Sequence, residues 1–291
     1  MPRTLSYCRP DHIEARFHHA DEFDFIDLDI RLVGDITLAL ECEDQGEDVE
    51  PVRHERETID FTVYMSSVFC TFRDFIRFLE AITLEVKECA FEWEAEGPDG
   101  RLRWKRRYVQ DVGFLTIEWD SYKEKFSHRM MLNTRQAVKM LYSAFRTFVD
   151  SPEYDPLRYE RLSYGESFAL ILSNASLDDL AATLVRMNAD AAKTFLQALD
   201  EVIYDRHMKG PKLSWPIEYF RRATESVEPS SQYNAWIDPE WDNWDIEQRM
   251  NQLKELFSWS VRSWHGENLR KMRSKLIEDW LSLPEAVAVQ D

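Results

Sequence analysis

Hydrophobic positions along the chain recur with two periods, and each change of period marks an element. From Ile26 the repeat is two: Ile26, Leu28, Ile30 and Leu32, then Ile36, Leu38, Leu40 and Cys42, with Val33-Gly34-Asp35 between. Alternation around a central glycine predicts a β-hairpin. Ile59, Phe61, Val63 and Met65 predict another strand. Ser66 and Ser67 stand where a hydroxyl can cap free helix N–H groups, and Phe72, Phe75, Ile76, Leu79 and Ile82 follow at helical spacing. Beyond Leu84 the period returns to two. Cys89, Phe91 and Trp93, then Leu102 and Trp104, then Leu115, Ile117 and Trp119, then Phe126, His128, Met130 and Leu132 predict four strands. Gly97-Pro98-Asp99-Gly100 reads as a turn, and the short connections force antiparallel pairing. Asn133 to Gln136 fits a helix cap. The stripe Val138, Leu141, Tyr142, Phe145, Phe148 and Val149 follows, and Ser151-Pro152 ends it.

The remainder is mostly helical. Phe168, Leu170 and Leu172 alternate briefly and predict one more strand. Ser176 with Asp178 and Asp179 starts a helix, Asn188 or Asp190 starts another, and Ser214-Trp215-Pro216 opens a short one. Asp238-Pro239 reads as a cap and first-turn proline. A long stripe from Ile246 through Phe257 to Trp264 follows, continued by Leu269, Met272, Leu276 and Trp280. Residues 1–25 show no clear period. The fold class is α+β: residues 1–172 form an antiparallel sheet with helices on one face, that of Trp93, Trp104 and Trp119, and residues 173–291 form a helical domain packed against it.

Charge narrows the function. The chain has 54 acids against 36 Lys and Arg, a net charge of −18 and a pI near 4.9. Phosphate backbones and anionic membranes repel such a surface, so direct nucleic-acid or membrane binding is not expected. A basic protein partner is the reverse case, because the field speeds encounter; solubility alone is the plainer account of the same acidity. No run approaches the ~18 apolar residues of a membrane span. Cysteines 8, 42, 70 and 89 form no C-x-x-C pair, which fits a reducing cytoplasm. None of the eight glycines is spaced as a phosphate-cradling loop, so no nucleotide cofactor is expected.

Candidate chemistry is sparse. His18-His19 with Asp21, Glu22 and Asp24 has the ligand types for zinc or iron, but adjacent residues point to opposite faces of a strand, so a solvated acidic segment competes with a metal site. His128, between Phe126 and Met130, reads as a hydrogen-bonded structural residue. Glu92 and Glu118 can share a sheet face, where solvated carboxylates are commoner than a catalytic dyad. Arg101, Arg103, Lys105, Arg106 and Arg107 are expected to pair across strands with Glu88, Glu92 and Glu94 and to form no phosphate site. The segment from Trp236 to Asp245 interleaves aromatics with acids. Such rings either anchor a partner's Arg and Lys or, in the case of Trp241 and Trp244, pack onto the core at a helix start.

Phe78-Leu79-Glu80 on a helix, Phe91-Glu92-Trp93, Glu96-Gly97, Gly113-Phe114-Leu115, then Phe145-x-x-Phe148 before Ser151-Pro-Glu-Tyr154-Asp-Pro156 together resemble bacterial immunity proteins of contact-dependent and secreted toxin systems. The resemblance covers under a third of the chain, rests on structural positions and transfers no functional residues. It implies a cytoplasmic, acidic, non-enzymatic protein that occludes a toxin. The expected contacts are Asp27, Asp29, Glu47, Asp48, Trp236 and Trp241. The alternatives are a metal-dependent hydrolase using His18, His19 and Asp21, and a phage-encoded inhibitor that mimics nucleic acid by its charge.

Overall fold

The computed structural model describes residues 3–20, 25–41, 52–66, 71–94, 97–107, 111–160, 162–172, 175–209, 215–223, 236–259 and 269–284. Among these the chain divides into two compact units. The first takes the described residues of Met1–Ala20, Phe25–Tyr154 and Leu269–Asp291, and the second those of Asp155–Asn268. The division therefore falls at Tyr154, not at 172, and the chain returns to the first unit at its end.

The first unit is built on one seven-stranded sheet. Its strands are β1 (Arg3–His19), β2 (Phe25–Glu41), β3 (Val52–Ser66), β4 (Glu88–Glu94), β5 (Asp99–Arg106), β6 (Val112–Asp120) and β7 (Lys125–Asn133), in the order β3-β2-β1-β7-β6-β5-β4. The expected four-strand meander is β4–β7. Every pairing is antiparallel except β1 with β7, which is parallel, so the sheet is mixed rather than antiparallel throughout. That exception joins two meanders: β1 and β7 are distant in sequence, so no short turn fixes their direction.

The expected hairpin at Gly34 is instead one unbroken 17-residue strand, β2. Gly34 lies opposite Pro10 at a register shift, and a Cβ there would stand 2.7 Å from the Arg9 carbonyl oxygen and 2.8 Å from the Pro10 Cα. The glycine serves a close backbone approach at a bulge, not a turn.

Helices α1 (Phe72–Thr83) and α2 (Thr134–Asp150) cover one face of the sheet. Thr71 caps α1 without a side-chain hydrogen bond, so the expected serine cap is displaced: Ser66 ends β3, and Ser67 lies outside the described residues. The α2 cap is as expected, with Asn133 accepting from the N–H groups of Arg135 and Gln136. Phe75 of α1 meets Phe91 (5.8 Å) and Phe17 (5.7 Å), and Phe145 of α2 also meets Phe17 (5.8 Å). Trp93 and Trp119 find a different lid. The Trp93 indole N–H donates to the Tyr64 carbonyl oxygen at 3.0 Å, and the Tyr64 and Trp119 rings are 4.6 Å apart. Phe61 lies 5.4 Å from Phe126. These contacts join β3 to strands that are not its neighbours, so the sheet curls until its two edge strands meet over the tryptophans.

The second unit holds α3 (Pro156–Tyr159), α4 (Tyr164–Ile171), α5 (Leu177–Leu184), α6 (Ala189–Lys209), α7 (Ile217–Ala223) and α8 (Ile246–Ser258). Residues 164–171 form α4, not the expected strand. A capping box between Ser163 and Glu166 starts it, and Leu172 keeps only an isolated bridge to Trp215. Capping boxes also open α5 (Ser176 with Asp179) and α8 (Asp245 with Gln248). The core gathers Phe168, Leu180, Phe195, Phe220, Trp241 and Leu253. No described helix is long and apolar enough to cross a membrane. Helix α9 (Lys275–Ser282) packs on α1 and α2, so it continues no stripe with α8.

Candidate functional site: the open face of the sheet

Alternation along each strand sends one set of side chains under the helices and the other outward. In the first unit α1 and α2 lie on the inner face, and the outer face keeps its polar residues exposed or half-buried. Cross-strand register lays those residues out in rows. One row runs Ala90, Arg103, Thr116, Arg129, Tyr7, Thr37 from β4 to β2. The next runs Glu88, Lys105, Phe114, Met131, and the one on the other side runs Glu92, Arg101, Glu118, Ser127.

The expected cross-strand ion pairs form where the register allows. Arg101 pairs with Glu92 and, at 3.6 Å, with Glu118. Lys105 reaches Glu88 at 3.8 Å, whereas Arg106 pairs at 2.7 Å with Glu85, which precedes β4 and is not among the expected partners. Arg101 thus stands between Glu92 and Glu118, which makes them ion-pair partners and not an acid–base dyad. Arg103 departs from the pattern, because the residue across from it is Ala90.

A cleft of about 470 Å³ opens in this face, lined among others by Tyr7, Arg103, Phe114, Thr116, Ser127 and Arg129. The Arg129 guanidinium lies over the Phe114 ring, 4.1 Å from its centroid, and Arg107 approaches the same ring at 5.8 Å. The Tyr7 ring is 6.2 Å from Phe114 and 41% exposed. A second concavity, about 620 Å³, lies between β1 and α2, with Ile13, Ala15, Met140 and Ala144 among its lining beside polar residues such as Arg16 and Lys139.

Of the residues expected from sequence, Asp27 and Asp29 belong to the first unit and Trp236 and Trp241 to the second. Asp29 accepts from His18 Nε2–H at 2.8 Å and from Thr62 Oγ1–H at 2.6 Å. His18 Nδ1–H donates to the His19 carbonyl oxygen at 2.9 Å. Both ring nitrogens face oxygens with no proton to give, so the two hydrogen bonds are made together only by the doubly protonated ring. Burial lowers its pKa, but the His19 carbonyl and the Asp29 and Asp27 carboxylates outweigh that and raise it above the ordinary value. Asp27 is half-buried beside His18 and Tyr64, which are its register partners. His19 turns to the opposite side, stacking on Tyr154 and meeting Phe148 edge-on. The two histidines therefore share no ion, and Asp21, Glu47 and Asp48 lie outside the described residues. No group of three or more metal-capable side chains occurs among the described residues.

Trp241 is withdrawn from the contact set. Its ring is fully buried, its N–H donates to the Met187 carbonyl at 3.0 Å, and the Arg249 guanidinium lies 5.2 Å from its centroid. The acids around it do structural work: Asp242 accepts from Ala189 N–H, Asp238 from Glu240 N–H, and Asp245 caps α8. Trp236 is half-buried against Tyr164 at 5.2 Å. His128 is the structural residue expected: buried, sharing a 2.6 Å hydrogen bond with Ser6, and held neutral because burial pushes its pKa down to about 4.

The Arg103–Arg129 row was not foreseen, although its residues are plain in the sequence. Only the register, which sets Arg103 against Ala90, separates it from the ion-paired arginines beside it. Comparisons with protein-family models, curated proteins and solved structures find no match to the chain.

Proposed function

We propose that the protein acts by binding another protein in the cytoplasm, in the manner of an immunity protein that occludes a toxin. The observation that carries this reading is the open outer face of the sheet. It extends across seven strands, no helix of its own unit lies on it among the described residues, and it is set with charged and aromatic side chains. Such a face offers area and pattern for recognition, whereas a small-substrate enzyme needs converging acid, base and nucleophile groups. Net charge supports the choice of partner: a chain at −18 attracts a basic protein from beyond contact range. Asp27 and Asp29, on the outward side of β2, remain the candidate contacts on this face.

Co-expression with the toxin encoded beside this gene tests the reading, with rescue of growth and co-purification of the pair as the expected result. Association is expected to slow steeply as salt rises, because steering works through the long-range field. A complex whose on-rate ignores salt would remove the steering, and absence of a complex would remove the function.

A further inference from the structure

We propose that Arg103, Thr116 and Arg129 form an anion site for the phosphate of a small phosphate ester. The register places Arg103 and Arg129 on β5 and β7, either side of Thr116 on β6, all outward. Two strand spacings separate the backbones, about 10 Å. Arg103 has no hydrogen bond or ion pair among the described residues, and Arg129 has only its stacking on Phe114. Arginines such as Arg135 and Arg249 spend N–H groups on backbone carbonyls and others such as Arg101 pair with acids, whereas Arg103 and Arg129 do neither among the described residues. Glu88 and Glu118 also line the cleft, but they are engaged by Lys105 and Arg101.

The chemistry of the cleft selects the ligand. One carboxylate neutralises one guanidinium; two guanidiniums across a threonine hydroxyl match a phosphate dianion, whose oxygens take forked arginine contacts. Stacking on Phe114 holds Arg129 flat and leaves its N–H edges for the ligand. The exposed Tyr7 ring beside Phe114 gives a flat organic group a surface to lie on. A volume of about 470 Å³ suits a small molecule. The overall charge of −18 rejects an extended polyanion, so the ligand is compact.

Phenyl phosphate titrated into the full chain is the test, read by calorimetry and by arginine Nε–H resonances. Saturable binding is expected, with benzoate weaker. Arg103→Gln and Arg129→Gln should each weaken it about tenfold, as loss of a charge-assisted contact does. Arg77→Gln, which changes an exposed arginine paired with Asp74 on α1, should leave it unchanged. Thermal melts of the variants check that both still fold. No saturable binding to the native chain, equal binding by R103Q and R129Q, or benzoate binding as tightly as phenyl phosphate overturns the proposal. No protein partner enters the measurement, so its failure would leave the immunity reading standing.

Discussion

Trp93, on one edge strand of the sheet, donates its indole N–H to the carbonyl oxygen of Tyr64 on the other edge strand, 3.0 Å away. Strands β3 and β4 stand at opposite ends of the strand order, yet only α1 links them in sequence. The curl of the sheet brings them within reach, and this bond is one of the contacts that seals it.

Trp93→Phe therefore leaves a half-buried carbonyl without its donor. The expected cost is about 1–3 kcal/mol, read as a lower urea midpoint. Tyr64→Phe keeps both the carbonyl and the ring, and should stay within about 0.5 kcal/mol of the native chain.

Gly100 lies directly across from Trp93, and a Cβ there would fall 2.1 Å from the indole. Gly113 lies diagonally from Trp104, two residues from that tryptophan's register partner Leu115, and a Cβ there would fall 2.4 Å from the indole. Both glycines make room for a ring. Gly100→Ala and Gly113→Ala should each cost about 1–3 kcal/mol by overpacking, with a changed near-ultraviolet circular dichroism spectrum as the indoles move.

Trp241 separates a core role from a contact role. Trp241→Ala should destabilise the second unit by about 3–5 kcal/mol, seen as an early melting transition. A variant that melted normally but lost a partner would reverse the assignment.

Two histidines push stability in opposite directions with pH. The pKa of His18 is raised in the fold, so its contribution is complete below its unfolded pKa and is lost as pH rises through the folded one. For His128, depressed to about 4 by burial, the unfolded chain takes up the proton first. Stability therefore falls as pH drops from about 6.5 toward about 4. His18→Gln should flatten the slope on the alkaline side of about pH 6.5, and His128→Gln the slope on the acid side, in urea midpoints measured on both sides of that pH.

Much of this architecture is legible in the residue pattern. The β4–β7 meander, the two helices over it and the caps at Asn133 and Ser176 follow from local periodicity and local hydrogen bonding. What stays hidden is what non-local pairing decides. In β1, Pro10 and the register shift beside it interrupt the two-residue repeat, so a central strand has no readable period. The alternation at 168–172 loses to the capping box at Ser163. The aromatic–acid segment near Trp241 has the composition of a recognition surface, but a buried ring and three backbone caps account for it. The Arg103 row depends on a single register value that no local pattern encodes.

Helix α9 closes the first unit from the far end of the chain. Arg135 donates to the carbonyl oxygens of Trp280, Leu281 and Leu283, Ser274 bonds Glu80, and the Tyr142 hydroxyl donates to Glu278. The order of synthesis and the order of completion therefore differ. As the chain leaves the ribosome, the inserted helices are finished while their host still lacks its last piece. At about 5–20 residues per second that wait is on the order of ten seconds. Through that interval Glu80 on α1 and Arg135 and Tyr142 on α2 still lack their α9 partners, a window in which a nascent-chain chaperone has something to hold.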